Sequence, residues 1–161
     1  MVGQVSHEVE VNVPASEAWE LYGTLRLSKL VEEVLSNFIE KIEVIEGDGG
    51  AGTIIQLTFA PGTAGFSGCK EKFTKVDNEK RLKETELIEG GQLELGFTLY
   101  RDRFEVIEKG EDSCIIRSTI EYEVKEDAAA NASLVSIEPL ANVAELAKNY
   151  LIKNKTAKDA N

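Results

Sequence analysis

The residues of this chain best suited to acid–base chemistry lie on two neighbouring strands. In the stretch from Cys69 to Phe73, a strand that turns Phe73 inward also turns Glu71 and Cys69 inward, because side chains alternate with a period of two. On the next strand Lys83 shares a face with apolar residues, so it can meet Glu71 inside the protein. Burial and mutual pairing would shift both pKa values. The alternative is a pair of solvated charges on a charge-rich hairpin, and the residues alone favour it.

A third carboxylate, Asp102, lies in a long apolar stretch from Gln92 to Ile107 whose parity changes midway. Its first half has apolar residues at odd positions, whereas from Tyr100 onward they occupy even positions. A β-bulge at about residues 99 to 101 would account for the change, because a bulge moves the following side chains to the other face. It would leave Asp102 facing inward between Tyr100 and Phe104.

Other kinds of catalytic or metal site have little support. His7 is the only histidine, which excludes a Ser-His-Asp triad and a site with two or three histidine ligands. It shares the valine face of the first strand, so we expect a core histidine with a hydrogen-bond partner. Cys69 as a nucleophile would require an activating base that the sequence does not indicate. Cys69 and Cys114 lack metal-type spacing and are expected to be free thiols.

The glycine-rich loop from Gly47 to Gly52 is similar to a phosphate-binding loop in composition only. A phosphate loop leads into a helix N-terminus and usually carries a Gly-Lys-Ser/Thr sequence. Here the loop joins two strands and no such sequence follows. We therefore expect a tight β-turn.

Hydrophobic periodicity predicts the elements that must position these residues. Strict alternation from Val5 to Val13 predicts a strand, and two short helices follow, the first with Ser16 as N-cap and the second from Leu27 to Leu35. The tail from Ala128 to Lys153 has the spacing of a long amphipathic helix that Pro139 kinks or divides. Six further strands are predicted, one near Ile42 and the others at Thr53–Phe59, Gly68–Val76, Arg81–Ile88, Gln92–Ile107 and Ser113–Val124.

These elements predict one α+β domain over residues 1–161, with a curved, seven-stranded antiparallel sheet that grips the C-terminal helix. The two short helices lie between strands 1 and 2, and the short connections favour hairpins. A bent sheet with a helix across its concave face would leave an internal hydrophobic cavity wherever side chains are too short to fill it. We expect the ligand-contacting residues to be Cys69, Phe73, Tyr100, Phe104, Ile116 and Leu140.

Composition restricts the partners of this domain. The chain has 161 residues, is 42% hydrophobic, and carries a formal net charge of −11. This charge argues against binding to nucleic acid or to an anionic membrane surface. The N-terminus has no apolar signal core and no stretch is long enough to span a membrane, so a cytoplasmic location is expected. We expect a monomer or a weak homodimer that binds a small hydrophobic or aromatic metabolite.

Over essentially its whole length, the chain resembles the Bet v 1 / pathogenesis-related-10 (PR-10) superfamily of plants. Within that superfamily it is most similar to the norcoclaurine synthase-like subfamily. The likeness lies in the glycine loop and in several short motifs. These motifs are Val44–Gly50, Lys70–Phe73, Val76–Glu79 with Arg81–Lys83, Ile88–Gly91 and Asp112–Cys114.

The resemblance implies a C–C bond-forming cyclase of the lyase class that joins dopamine to an aldehyde by a Pictet–Spengler condensation. By the same resemblance, Lys83 is the general acid during loss of water, and Glu71 takes a proton during ring closure. Asp102 would orient the amine. A proton donor and a nearby base suit this reaction, and the resemblance implies no metal or organic cofactor.

Two departures from the subfamily concern its substrate. The subfamily usually has a tyrosine where this chain has Cys69, and the loop from Thr63 to Gly68 is about one residue longer and rich in small residues. The other enzymatic alternative is therefore a relative that steers another cyclisation, such as iridoid ring closure. The non-catalytic alternative is a PR-10 or major latex protein-like carrier of hydrophobic metabolites or hormones. Retention of Lys83, Glu71 and Asp102 favours catalysis.

Overall fold

Seven strands form one antiparallel sheet in a computed structural model of the protein, which describes residues 1–62 and 65–159. The strands are β1 (Val2–Val11), β2 (Ile39–Glu46), β3 (Ile54–Phe59), β4 (Gly68–Asp77), β5 (Leu82–Gly90), β6 (Phe97–Gly110) and β7 (Ser113–Val124). The helices are α1 (Ala15–Tyr22), α2 (Arg26–Val34) and α3 (Glu138–Asp159), with 3₁₀ segments at Gly91–Leu95 and Glu126–Leu134. The order in the sheet is β1-β7-β6-β5-β4-β3-β2, so α1 and α2 connect its two edges.

The long helix α3 lies against β1 and β7 and closes one side of the sheet. Its buried contact residues Ala144 and Ala147 are small, which lets the helix approach closely, while Leu151 extends the core toward the helix end. At the other side α1 buries Trp19, whose indole nitrogen Nε1 donates to the Asn78 side-chain oxygen at 2.9 Å. The predicted curved sheet, two short helices and C-terminal helix are confirmed.

The predicted start of the sixth strand is wrong. Residues Gly91–Leu95 form a 3₁₀ segment rather than a strand, because Gly90 and Gly91 have φ angles of +74° and +55° that break the extended backbone. The register with β7 shifts between Phe97 and Leu99, slightly before the predicted bulge. The shift still turns Phe97 and the later even-numbered residues of β6 to the same side.

Two details of the helices also differ from the sequence-based expectation. Ser16 is not an N-cap, because Pro14 precedes α1 and no side chain caps this end. The C-terminal helical region is divided: residues 126–134 form the second 3₁₀ segment, and α3 begins at Glu138. Pro139 lies in the first turn of α3, where its missing N–H leaves no helical hydrogen bond unmade. The predicted division at Pro139 is confirmed.

The glycine at the end of β5 should tolerate no side chain. Gly90 has φ +74° and ψ −162°, and an added Cβ would lie 2.6 Å from the carbonyl oxygen of Gly68. We expect Gly90→Ala to lower the free energy of unfolding by more than about 2 kcal/mol, because backbone strain and a steric clash add. Gly52→Ala is the matched control, since Gly52 has φ +96° with no atom within 4 Å of an added Cβ. Equal losses in urea denaturation would contradict the close approach at Gly90.

Candidate active site

A cavity of about 650 Å³ lies between the sheet and α3. Its wall takes residues from α2, α3 and strands β2 to β7, and most of these side chains are apolar. The cavity is large enough for a drug-sized organic molecule, and such sites are typically apolar with a few polar groups that fix orientation. The internal cavity expected from the fold is therefore present.

Glu71, Lys83 and Asp102 all line this cavity. They lie on the adjacent strands β4, β5 and β6, where Asp102 is opposite Thr85 and Glu71 is opposite Leu87. Residues opposite one another in antiparallel strands have their Cβ atoms about 5 Å apart, which keeps the three side chains within one region of the wall. The interpretation of Glu71 and Lys83 as solvated charges is wrong, since both face the cavity.

The ammonium group of Lys83 has two close contacts that fix its position. Its Nζ donates a hydrogen bond at 3.0 Å to the carbonyl oxygen of Tyr22, the last residue of α1. Carbonyl groups at a helix C-terminus carry partial negative charge and favour a cation. The same Nζ lies 4.1 Å from the centroid of the Phe73 ring, within the range of a cation–π interaction. Only 3% of the surface of Lys83 is exposed, so its ammonium group depends on these protein contacts rather than on water.

The ionisation of the three groups is shifted toward neutral pH. Burial raises the pKa of Glu71 to about 7, against the opposing effect of the Lys83 charge. Burial lowers the pKa of Lys83 to about 8, against the opposing effect of Glu71. Burial and then the Glu71 charge raise the pKa of Asp102 well above its ordinary value. These shifts favour a proton donor and a proton acceptor within one cavity near neutral pH.

Five of the six residues expected to contact a ligand line the cavity, and one does not. The five are Cys69, Phe73, Tyr100, Phe104 and Leu140. Ile116 is fully buried instead, between its cross-strand neighbours Val9 and Val106, and it is absent from the cavity wall. Its inward direction was predicted correctly, but β7 is covered by core side chains at this position.

Cys69 and Cys114 are both buried and both free, as expected. Burial raises the pKa of the Cys69 thiol, and the charges of Glu71 and Asp102 raise it further. A thiol with a raised pKa carries little thiolate and is a poor nucleophile. Cys69 thus contributes a small, apolar patch to the cavity wall beside the carboxylates.

The hydrogen bond expected for His7 is missing. His7 is half-buried on β1, and its Nδ1 atom is buried without a hydrogen-bond partner in the described structure. Its cross-strand neighbour Ser118 has a buried Oγ atom in the same condition. Neither residue lines the cavity, so neither belongs to the site.

Several polar residues of the cavity wall were not anticipated from the sequence. They are Ser28, Asn37, Thr85, Gln92, Ser136, Glu138 and Asn142. Most come from helices and connections, where no alternating pattern marks the side that faces inward. Of the loop from Thr63 to Gly68, Thr63 and Ala64 lie outside the described residues, whereas Phe66 lines the cavity.

The chain matches a known protein family over nearly its whole length. Residues 1–154 match the model of the pathogenesis-related protein Bet v 1 family. The chain belongs to that family.

Within residues 1–62 and 65–159, no group of three or more His, Cys, Asp or Glu side chains is arranged to hold a metal ion. No helix in the same residues is long and apolar enough to cross a membrane.

The chain is similar to several plant synthases. It is 47% identical over 156 residues to norbelladine synthase of Narcissus pseudonarcissus, with 97% of this chain and 96% of the relative covered. It is 41% identical to S-norcoclaurine synthase 2 of Papaver somniferum, covering 94% of this chain but only 66% of that longer relative. A norcoclaurine synthase structure from Thalictrum flavum, in complex with dopamine and hydroxybenzaldehyde, superposes with a TM-score of 0.86 at 40% identity, covering 95% of this chain and 88% of that one.

The buried carboxylate should make stability depend on pH. The pKa of Glu71 is raised to about 7 by folding from an ordinary value of 4.5, so its stabilising contribution is complete below pH 4.5 and is lost as pH rises through 7. We expect the free energy of unfolding to fall between pH 5 and 7.5 by about 1–3 kcal/mol relative to Glu71→Gln. Urea denaturation of both proteins across this range measures the difference. Glu111→Gln, in an exposed hairpin, is the control. The difference between its free energy of unfolding and that of the wild type should not change with pH.

Proposed function

We propose that this protein condenses an arylethylamine with an aldehyde inside its cavity and closes the product ring by a Pictet–Spengler reaction without a cofactor. The observation that carries the proposal is that Lys83, Glu71 and Asp102 face one mainly apolar cavity, with Lys83 buried. Support also comes from relatives of similar length and fold that are norbelladine and norcoclaurine synthases. One such structure contains dopamine and hydroxybenzaldehyde, an amine and an aldehyde.

In the first step the amine nitrogen attacks the aldehyde carbon and forms a hemiaminal. The Lys83 ammonium donates a proton to the hemiaminal hydroxyl, the C–O bond breaks, and water leaves together with its electron pair. The product is an iminium ion, whose positive charge is favoured by the neighbouring carboxylates. A pKa of about 8 suits Lys83 to this role, because the group is protonated at neutral pH but gives up its proton more readily than a solvated lysine.

In the second step an aromatic ring carbon of the amine substrate attacks the iminium carbon and forms the new C–C bond. The carboxylate of Glu71 removes the proton from that ring carbon, which restores aromaticity. Proton transfer from Glu71 to the Lys83 amine returns both groups to their starting states. The sum is amine plus aldehyde giving a cyclic amine plus water. Asp102, one strand away, orients the amine nitrogen.

The cavity itself contributes to the rate. Holding two reactants in contact replaces an encounter in solution by an intramolecular step. The apolar wall, including Phe73 and Phe104, limits the water that could hydrolyse the iminium ion. A carrier of hydrophobic metabolites would need the same volume but no buried acid–base pair, and for this reason we favour catalysis.

The direct test is incubation of the purified protein with dopamine and 4-hydroxyphenylacetaldehyde, and separately with dopamine and 4-hydroxybenzaldehyde. We expect a cyclic product in enantiomeric excess, because the asymmetric cavity presents one face of the iminium ion. A racemic product formed at the background rate would reject the proposal for these substrates. Binding of the amine or the aldehyde by calorimetry without turnover would instead support a carrier.

Replacing the proton donor should slow turnover without preventing binding. We expect Lys83→Met to lower kcat by about 10²- to 10⁴-fold, the range typical of a lost general acid, with a smaller change in KM. The apolar methionine fits the buried position, and thermal denaturation checks that the fold is retained. Lys72→Met on the exposed side of β4 is the control and should keep full activity. An unchanged kcat in Lys83→Met would remove Lys83 from the mechanism.

A further inference from the structure

A second, smaller cavity of about 270 Å³ adjoins the catalytic cavity. We call it the side chamber. The described residues in its wall are Phe66, Gln92, Leu95, Phe97, Leu134 and Val135. Five of these six residues are apolar. The chamber is bounded by both 3₁₀ segments, which a hydrogen bond from the Asn131 side-chain nitrogen to the Leu95 carbonyl oxygen at 2.8 Å holds together.

The side chamber shares part of its wall with the catalytic cavity. Phe66, Gln92 and Leu134 line both spaces. Little side-chain volume is present at the adjacent corner of the sheet, because Gly90 and Gly91 have no side chains and Cys69 has a small one. A Cβ added to Gly91 would lie 3.4 Å from the Cβ of Cys69, which places the start of the 3₁₀ segment directly beside the carboxylate-bearing end of the cavity.

Two features of the boundary suit it to a ligand. Gln92 has the one polar side chain among the described residues of the chamber wall. Its amide has no hydrogen bond among the described residues. The amide can both donate and accept a hydrogen bond. Leu134 has 62% of its surface exposed although it faces both cavities. A ligand that covers Leu134 would bury apolar surface that the protein itself leaves open.

We propose that the side chamber is a subsite for an apolar tail, of the size of one aromatic ring, on the aldehyde substrate. This inference rests on the proposed function. The aryl ring of the amine must fold back onto the iminium carbon and stays near Lys83 and Glu71, whereas the substituent of the aldehyde takes no part in bond formation and can extend past Gln92. An apolar cavity of about 150 Å³ is enough to hold benzene, so the chamber has room for a ring.

The experiment uses aldehydes with a phenyl ring on a lengthening chain: phenylacetaldehyde, 3-phenylpropanal and 4-phenylbutanal. The corresponding unreactive alcohols are titrated by calorimetry. We expect kcat/KM to rise and the alcohol Kd to fall by as much as about fourfold per methylene, the effect of burying one CH₂ group. No gain along either series would overturn the proposal.

Variants that fill the chamber test whether it is the place where longer chains gain affinity. Val135→Phe and, as a second variant in case the first fails to fold, Leu95→Phe should abolish the dependence of alcohol Kd on chain length. Leu93→Phe on the same 3₁₀ segment is the matched control and should retain it, because Leu93 lines neither cavity. A gain that persists in both filled variants would place the tail elsewhere and reject the subsite. Failure of turnover with the alcohol series intact would reject the condensation but not the chamber.

Discussion

The buried ammonium group of Lys83 is the constraint on which the site depends. An isolated buried charge is strongly unfavourable, so this one requires compensation from the Tyr22 carbonyl, the Phe73 ring and the Glu71 carboxylate. These groups come from the adjacent strand β4 and from α1, which is far from β5 in sequence. The packing of α1 against the sheet is therefore part of the chemistry, because α1 supplies the backbone oxygen that orients Lys83.

The same strands that hold the site carry an ion-pair network on their opposite face. Arg101 and Arg103 of β6 pair with Glu84 and Glu86 of β5 and with Glu121 of β7. Strand alternation separates the two sets. Asp102 lies between Arg101 and Arg103, and Lys83 directly precedes Glu84, but both point to the other side of the sheet. The charges outside are paired and partly solvated, whereas those inside have pKa values moved toward neutrality.

Much of the fold followed from patterns within the sequence. Period-two alternation in β1 and β7 predicted those strands, and the parity change in β6 correctly indicated an irregularity that leaves Asp102 inward. The 3₁₀ segment Gly91–Leu95 was missed because its alternating leucines are equally compatible with a strand. What decides between the two is the positive φ of Gly90 and Gly91, which depends on the close approach of Gly68 across the sheet.

The sequence by itself determined which side chains alternate toward one face, and the family resemblance added roles for Glu71, Lys83 and Asp102. It could not decide whether Glu71 and Lys83 were solvated, because burial depends on the helices that cover a strand and not on its own pattern. The tertiary structure decided this, and it also removed Ile116 from the cavity wall and added Gln92. The side chamber could not be predicted from the sequence, because its wall brings together residues 66, 92–97 and 134–135, which are distant along the chain.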